Sequence, residues 1–178
     1  MTNILFTADT HYGHANIIKY SSRKFENVTE MNDALVHRFN SLWTPGAILY
    51  HLGDIALTHG LAWEFLERIK FKQIHMIWGN HDKDRIEHPK IIWSGDLKDC
   101  KFGPEKTPTT LCHYSMRTWN KRHHGAYHLF GHTHGALPGL GRSMDVGVDT
   151  NNMYPYSWEE VNEKLSKIPI GYVHHETN

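Results

Sequence analysis

Short apolar runs that each end in a polar cluster constrain the fold of this chain more than any other feature. The first run, at residues 4–8, is followed directly by Asp9 and His11. Runs of this length and composition predict buried β-strands, and functional sites of open α/β sheets lie beyond the carboxyl ends of such strands. Five strand ends would therefore converge on one place. They carry seven candidate side chains: Asp9, His11, Asp54, Asn80, His113, His132 and His134.

Helical spacing of apolar residues between the first strands predicts an α/β fold. One helix is expected at about residues 29–43, and Leu61, Phe65, Leu66 and Ile69 mark a second. Ser157, with Glu160 three residues later, predicts a capping box at the start of a last helix. Little helix separates the later strands, which disfavours a purely parallel sheet. Strands are expected at residues 4–8, 47–52, 74–78, 91–93, 109–112, 127–130 and 144–148.

Composition excludes several classes of protein. The chain has 178 residues with zero formal net charge, which disfavours a strongly basic nucleic-acid binder. We expect a single domain over residues 1–178, no association with a membrane and, from only two cysteines, a cytoplasmic location. The sixteen histidines are the outlier and indicate metal or proton chemistry. His174 and His175, near the end of the chain, are expected to be exposed.

The seven candidate side chains suit transition metals. An Asp-x-His or His-x-His pair puts two donors on one side of an extended segment. Mixed imidazole and carboxylate donors favour Zn, Fe, Ni or Mn over Mg or Ca. Seven ligands exceed what one open tetrahedral site needs, so two ions sharing a carboxylate are expected. A pair of ions about 3.5–4 Å apart can stabilise both the attacking and the leaving oxygen of a phosphoryl displacement.

The order of the motifs is similar to that of a known family. DTH, GD, GNHD, a single His after a strand and GHTH resemble the five blocks of the calcineurin-like metallophosphoesterases, over about 70% of the chain. HYSMRTW and VGVDTNNMYPYSWEEV also resemble the small stand-alone members of bacteria and phages. Ser115 departs from the proline common there. The resemblance implies two packed mixed β-sheets flanked by helices, in a four-layer sandwich.

The resemblance also implies roles for individual residues. Asp54 would bridge the two ions, and His81 would stand over the leaving group as an acid without binding metal. Asp82 would either orient the His81 ring or cap a helix. Of the remaining ligands, the first ion would take Asp9, His11 and His134, and the second Asn80, His113 and His132. The ions would be divalent transition metals, with Mn the first choice in assays and Fe, Zn or Ni as alternatives.

The function expected on these grounds is hydrolysis of a phosphate ester by a hydroxide held between the two metals. The substrate would be a phosphorylated small molecule or a nucleotide, with a phosphodiesterase slightly favoured over a monoesterase. Nucleic acid is possible but not favoured, so a nuclease stays an alternative. A second alternative is a catalytically silent module that binds a nucleotide or a protein partner on the same fold. The oligomeric state is left open.

Three further residues are candidates for substrate binding. His14 follows the first motif and either faces the metal cleft or packs within its loop. Arg117 and Trp119 lie in a segment with three fixed cations and no acid, between two candidate ligands. A basic rim with an aromatic ring would suit an anionic substrate that carries a base. The alternative is a solvated loop with Trp119 packed underneath.

Overall fold

A computed structural model describes residues 2–83 and 85–170 of the chain. The expectation for His174 and His175 lies outside the described residues. The helices are α1 (Ile17–Tyr20), α2 (Val28–Ser41), α3 (His59–Arg68) and α4 (Trp158–Ser166). The strands are β1 (Ile4–Thr7), β2 (Ile48–His51), β3 (Gln73–Ile77), β4 (Ile91–Gly95), β5 (Leu97–Phe102), β6 (Thr107–Cys112), β7 (Tyr127–Phe130), β8 (Ser143–Asp145) and β9 (Tyr156–Ser157).

The strands form two mixed sheets, which confirms the predicted fold class. The first sheet has the order β4-β3-β2-β1-β9, with β1 to β4 parallel and β9 antiparallel to β1. The second has the order β5-β6-β7-β8, with β5 antiparallel to β6 and the other pairs parallel. The parallel strands send their carboxyl ends to one edge of each sheet, and these edges carry the candidate site.

Alternate residues of the first sheet enter two different cores. Leu5 packs with α2 and α3 in one core, where Leu35 and Phe65 are fully buried. Its neighbour Phe6 points to the opposite face and packs with residues of the second sheet and of α4 in the other core. This alternation is the period of two that a strand imposes on its side chains. Both faces of the sheet are therefore dry, and β1 is held from both sides where it runs into Asp9.

Local signals fix the helix starts. The Asn27 side chain accepts a hydrogen bond from the Glu30 backbone N–H at the start of α2. The capping box predicted for Ser157 and Glu160 is confirmed, because both of its reciprocal hydrogen bonds are present. Such caps satisfy backbone donors that no turn of the helix can reach, and each contributes about 1 kcal/mol.

One predicted strand needs correction, and two strands were not predicted. β5 was not predicted, since an edge strand of sequence LKDCKF lacks an apolar stripe and is mostly solvent-facing. β9 was also missed, because two residues carry no periodic signal. The strand expected at residues 144–148 ends at Asp145, where the carboxylate accepts the Gly147 N–H and turns the chain into a short 3-10 helix at Val148–Thr150.

Within residues 2–83 and 85–170, every helix is too short or too polar to cross a bilayer.

Candidate metal centre

The candidate ligands collect at the carboxyl ends of five parallel strands. Those after β1, β2 and β3 come from the first sheet, and those after β6 and β7 come from the second. Two groups result, in each of which the ligand atoms lie within 4.8 Å of one another. We call Asp9, His11 and His134 site 1, and Asp54, His113 and His132 site 2.

One oxygen of Asp54 connects the two sites. Its Oδ2 lies 3.6 Å from His11 Nε2 in site 1 and 3.5 Å from His113 Nε2 in site 2. Its Oδ1 points elsewhere and accepts the His81 backbone N–H at 2.9 Å. A carboxylate whose second oxygen faces both groups has the geometry of a bridging ligand. Asn80 also belongs to this neighbourhood, because its Oδ1 lies 3.2 Å from His113 Nε2.

The donor set of site 2 suits a cation. His113 Nδ1 lies 2.7 Å from the Leu52 carbonyl oxygen, which can only accept, so the ring proton is on Nδ1. In the neutral ring the Nε2 lone pair then faces the oxygens of Asn80 and Asp54. Burial lowers the pKa of His113 and favours this neutral form, although Asp54 opposes the shift. Lone pairs that converge in this way fit a metal ion between them.

The donor set of site 1 also suits a cation. His11 is buried, and neither of its ring nitrogens has a hydrogen-bond partner among the described residues. Such orphaned buried groups are rare in folded proteins and call for a missing ligand. Burial, with smaller contributions from His134 and Arg23, lowers the pKa of His11 to about 2. The ring is therefore neutral and able to bind metal across the physiological pH range.

Buried charge around the centre is strongly negative. Asp9, Asp54, Asp82 and Asp145 are buried, whereas Arg23 is the one buried Lys or Arg in the described part of the chain. Burial raises the pKa of Asp9 well above its usual value, and the neighbouring Asp145 and Asp54 raise it further. Divalent cations would remove this repulsion, since carboxylates without a counter-charge are costly in a dry interior.

The backbone at the ligands is strained. Five of the seven predicted ligands lie in the left-handed region, with φ of 56° at Asp9, 45° at His11, 57° at Asp54, 68° at His132 and 49° at His134. A side chain in this conformation costs about 1–2 kcal/mol and persists only where surrounding contacts enforce it. Strain concentrated on one side-chain constellation is typical of a functional site.

Two glycines allow the strand ends to approach. A Cβ on Gly79 would collide with the Asp54 carboxylate. A Cβ on Gly131 would lie 2.7 Å from Asp9 Oδ2 and would also meet Ala8. Both glycines precede a predicted ligand directly. Gly79 lets the loop after β3 approach Asp54 at the end of the same sheet, and Gly131 lets the second sheet approach Asp9 of the first.

A buried arginine and Asp149 support site 1, and neither was predicted as a site residue. Arg23 donates hydrogen bonds to both Asp149 oxygens at 2.8 Å. It also donates to the carbonyl oxygens of Asp9 and Thr10. Asp149 Oδ2 lies 2.6 Å from His134 Nδ1 and so fixes the ring with Nε2 free for metal. Hydrogen bonds from the His134 ring and the arginine lower the pKa of Asp149 and hold it ionised, against the effect of burial. Asp149 lies within the quoted VGVD segment, but no sequence pattern marks Arg23.

The site-bearing loops are also held by two further aspartates. Asp145 accepts hydrogen bonds from Thr133 Oγ1 and the Gly135 N–H, on either side of His134. Asp82 accepts the backbone N–H groups of Gly79, Asp54 and Ile55. These contacts correct both expectations for Asp82, because it neither contacts the His81 ring nor caps a helix. It ties the loop after β3 to the loop after β2.

His81 and His14 lie around His11 at the surface of the centre. The His81 side chain is exposed, and its ring lies 5.3 Å from that of His11. The His14 ring lies 5.6 Å from the ring of His11, a candidate ligand of site 1. Burial and the nearby His81 lower the pKa of His14.

The basic loop departs from expectation. Trp119 is buried, and its Nε1 donates to the Ala126 carbonyl oxygen at 2.9 Å. Its ring packs 5.3 Å from buried His128 and carries the Arg122 guanidinium 5.1 Å over its face. The proposed stacking role of Trp119 is therefore wrong, and the packed alternative is correct. Arg117 is exposed, and its role in substrate binding stays a prediction.

Comparison with known proteins supports the fold. No model of a known protein family matches the sequence. The crystal structure of a protein of unknown function, AQ665 from Aquifex aeolicus, matches with a TM-score of 0.72 at 20% identity, covering 92% of this chain and 100% of that one. The Pseudomonas putida nuclease MPE matches with a TM-score of 0.41 at 17% identity, over 74% of this chain and 60% of that one, too slight a likeness to bear on function.

A sequence relative is more informative about ancestry. The uncharacterized protein MJ1445 from Methanocaldococcus jannaschii is 32% identical over 170 residues, which cover 94% of this chain and 93% of the archaeal protein. The similarity thus spans most of both chains. The chain belongs to the same protein family as MJ1445.

Proposed function

We propose that this protein is a phosphoesterase of the calcineurin-like metallophosphoesterase type that depends on two divalent transition-metal ions. One observation carries the proposal: a single oxygen of Asp54 faces a histidine nitrogen of site 1 at 3.6 Å and of site 2 at 3.5 Å. A shared carboxylate of this kind holds two ions close enough to act on one phosphate.

The ions would be held by Asp9, His11 and His134 in site 1, by Asn80, His113 and His132 in site 2, and by Asp54 between them. When bound, two such ions lower the pKa of water and neutralise charge on the phosphoryl group. Protonation of the leaving group would come from a side chain of the protein. His81 stands exposed beside His11, and the hydrogen bond from its backbone N–H to Asp54 fixes its position. An imidazole there can donate a proton to the departing alkoxide.

The substrate class favoured is a small or nucleotide-like phosphodiester. His132 and Asn80 are exposed, which leaves site 2 open to a substrate that carries groups on both sides of its phosphate. A catalytically silent binding module is the alternative. The exposed His81 counts against it, because a module that only binds has no need of an acid at this place.

The test is a measurement of metal content and turnover on the same preparation. After loading with Mn²⁺, we expect two ions per chain and hydrolysis of bis-p-nitrophenyl phosphate. The screen should add p-nitrophenyl phosphate, cyclic nucleotides, dinucleotides and single-stranded DNA. One ion per chain would contradict the two-metal centre. Two ions without hydrolysis of any of these substrates would favour the binding module.

A further inference from the structure

Exposed aromatic rings border the candidate metal centre on both sides. Tyr20 is 75% exposed and Tyr114 is 47% exposed. Among residues 2–83 and 85–170, Trp63 is the one other aromatic side chain exposed to a comparable extent. Large rings facing solvent are unremarkable singly, but two of three at one site point to a ligand that covers them.

Tyr20 borders site 1. It ends α1, and its ring lies 6.2 Å from the His14 ring, which in turn lies 5.6 Å from His11. The next residue, Ser21, places its Oγ 3.1 Å from His134 Nδ1. The segment that carries Tyr20 therefore contacts a predicted ligand of site 1 directly, while the ring itself stays in solvent.

Tyr114 borders site 2. It follows His113 at the end of β6, and its ring lies 5.0 Å from His113 and 4.9 Å from His132. The ring planes meet at 76° and 68°, so the tyrosine stands edge-on to both histidines. These contacts hold its position, and the residue stays 47% exposed.

The order of contacts across the centre matches one kind of substrate. The Tyr20 ring lies next to His14 beside site 1. Asp54 connects site 1 to site 2. The Tyr114 ring lies next to His113 of site 2. A phosphate held at Asp54 would thus have one exposed ring on either side. Aromatic side chains bind nucleobases by stacking, and do so with little sequence preference.

We infer that Tyr20 and Tyr114 are two base-stacking subsites and that the substrate is a linear phosphodiester joining two nucleosides. This inference rests on the proposed phosphoesterase function and narrows it. A phosphomonoester or a cyclic mononucleotide carries one base and can fill one subsite. A dinucleotide, or an internal linkage of a single strand, fills both. The buried Trp119 cannot provide this face.

The experiment compares kcat/KM for thymidylyl-thymidine with that for methyl p-nitrophenyl phosphate, which has no nucleobase. Tyr20→Ala and Tyr114→Ala should each lower the dinucleotide-to-small-diester ratio at least about fivefold, since stacking on one ring contributes that much or more. Tyr20→Phe and Tyr114→Phe keep the ring and should restore the ratio. Trp63→Ala, which removes an exposed ring packed on His88, should leave it unchanged.

Binding of the non-hydrolysed phosphorothioate analogue of thymidylyl-thymidine, measured by calorimetry on Mn²⁺-loaded protein, separates this inference from the proposed function. Weaker binding by both alanine variants supports the subsites even if no substrate turns over, in which case the phosphoesterase proposal fails alone. Equal loss on both substrates, or unchanged analogue binding, would overturn the inference. Once the tyrosine dependence is seen with the dinucleotide, oligothymidylate distinguishes the two sources: a higher kcat/KM for the dinucleotide indicates a dinucleotide substrate, and a higher kcat/KM for the oligomer indicates a single strand.

Discussion

The two sites of the candidate centre differ in how the protein supports them. In site 1, Asp9 and His11 are buried, and His134 is backed by the Asp149 carboxylate and, through it, by Arg23. In site 2, His132 is exposed, and its histidine partner His113 is backed by a backbone carbonyl oxygen.

This difference in support predicts that the two sites differ in metal affinity and in access for substrate. A carboxylate behind a metal-binding histidine raises its basicity more than a neutral carbonyl group does, and buried ligands exchange slowly with solvent. Site 1 should therefore hold its ion more tightly, whereas site 2 is open to substrate. Asp54 is the residue that makes the two sites one centre, so the sharpest tests start there.

Asp54→Ala should abolish the difference in metal affinity between the two sites, because both sites would lose their ions. Removal of the shared carboxylate would take one ligand from each ion. We expect loss of both ions in elemental analysis and no measurable phosphodiester hydrolysis. Asp33→Ala, which removes an exposed carboxylate paired with Arg68, is the matched control. Retention of one tightly bound ion would contradict a bridging role.

His81→Ala should separate turnover from metal binding. The side chain is exposed and outside both ligand groups, so two ions should stay bound. Turnover of a diester with a poor leaving group should fall by about 10²–10⁴-fold, as is typical when a general acid is lost. The loss should shrink for p-nitrophenyl esters, which need little protonation. Loss of metal from this variant would make His81 a ligand and refute its assignment.

Asp149→Asn should weaken site 1 alone. The variant keeps the shape of the side chain but removes the charge that contacts His134. Loss of a group that holds a metal-binding histidine costs about 10–100-fold in metal affinity. A Mn²⁺ titration by calorimetry should show the tighter of two binding steps weakened and the other unchanged. Asp96→Asn, an exposed aspartate paired with Arg85, serves as the control.

The converse variant is Asn80→Ala, which should weaken the looser binding step and spare the tighter one. Equal weakening of both steps by either substitution would mean that the two sites do not differ in the way proposed.

The smallest expected effect is on stability and concerns His51, a buried histidine next to the loops that carry the candidate ligands. Buried His51 accepts the Gly53 N–H at Nδ1 and lies 3.0 Å from Thr10 Oγ1 through Nε2. Thr10 donates its own proton to the Ile55 carbonyl oxygen, so His51 is neutral with its proton on Nε2. Burial, with a smaller effect of His113, lowers the pKa of His51 to about 3.

The sign follows from proton uptake on unfolding. Between pH 6.5 and about 3 the unfolded chain protonates His51 and the folded chain does not, so this contribution to stability is complete above pH 6.5 and is lost as pH falls. Its slope is about 1.4 kcal/mol per pH unit. In urea unfolding of metal-free protein, His51→Gln should reduce the pH dependence by that amount. An unchanged slope would contradict a neutral buried His51.

The sequence predicted most of the elements, because strong apolar periodicity and caps are local signals. β1, β3 and the helices α2, α3 and α4 lie within a few residues of their expected positions. The strands it failed to predict have weak local signals: β5 is a polar edge strand, and β9 gains its strand geometry only from pairing with β1. Mixed sheets were anticipated from the scarcity of helix between the later strands.

The candidate ligands also came from local patterns, since each follows an apolar run. The supporting residues did not. Arg23 and Asp149 are 126 positions apart and meet only because the chain end of β8 returns beside β1. Asp82 looked like a partner for its neighbour His81 but bonds to the loop after β2, because two backbone N–H groups there need an acceptor.

The sequence by itself thus determined which apolar strands exist and which polar residues stand at their ends, because both depend on the order of residues along one segment. The tertiary structure alone decided that Asp54 Oδ2 faces both sites, that Arg23 joins Asp9 to Asp149 and that Trp119 is buried while Tyr20 and Tyr114 are not. Distances between residues far apart in sequence depend on sheet order and packing, and single-residue exposure depends on what the rest of the chain covers.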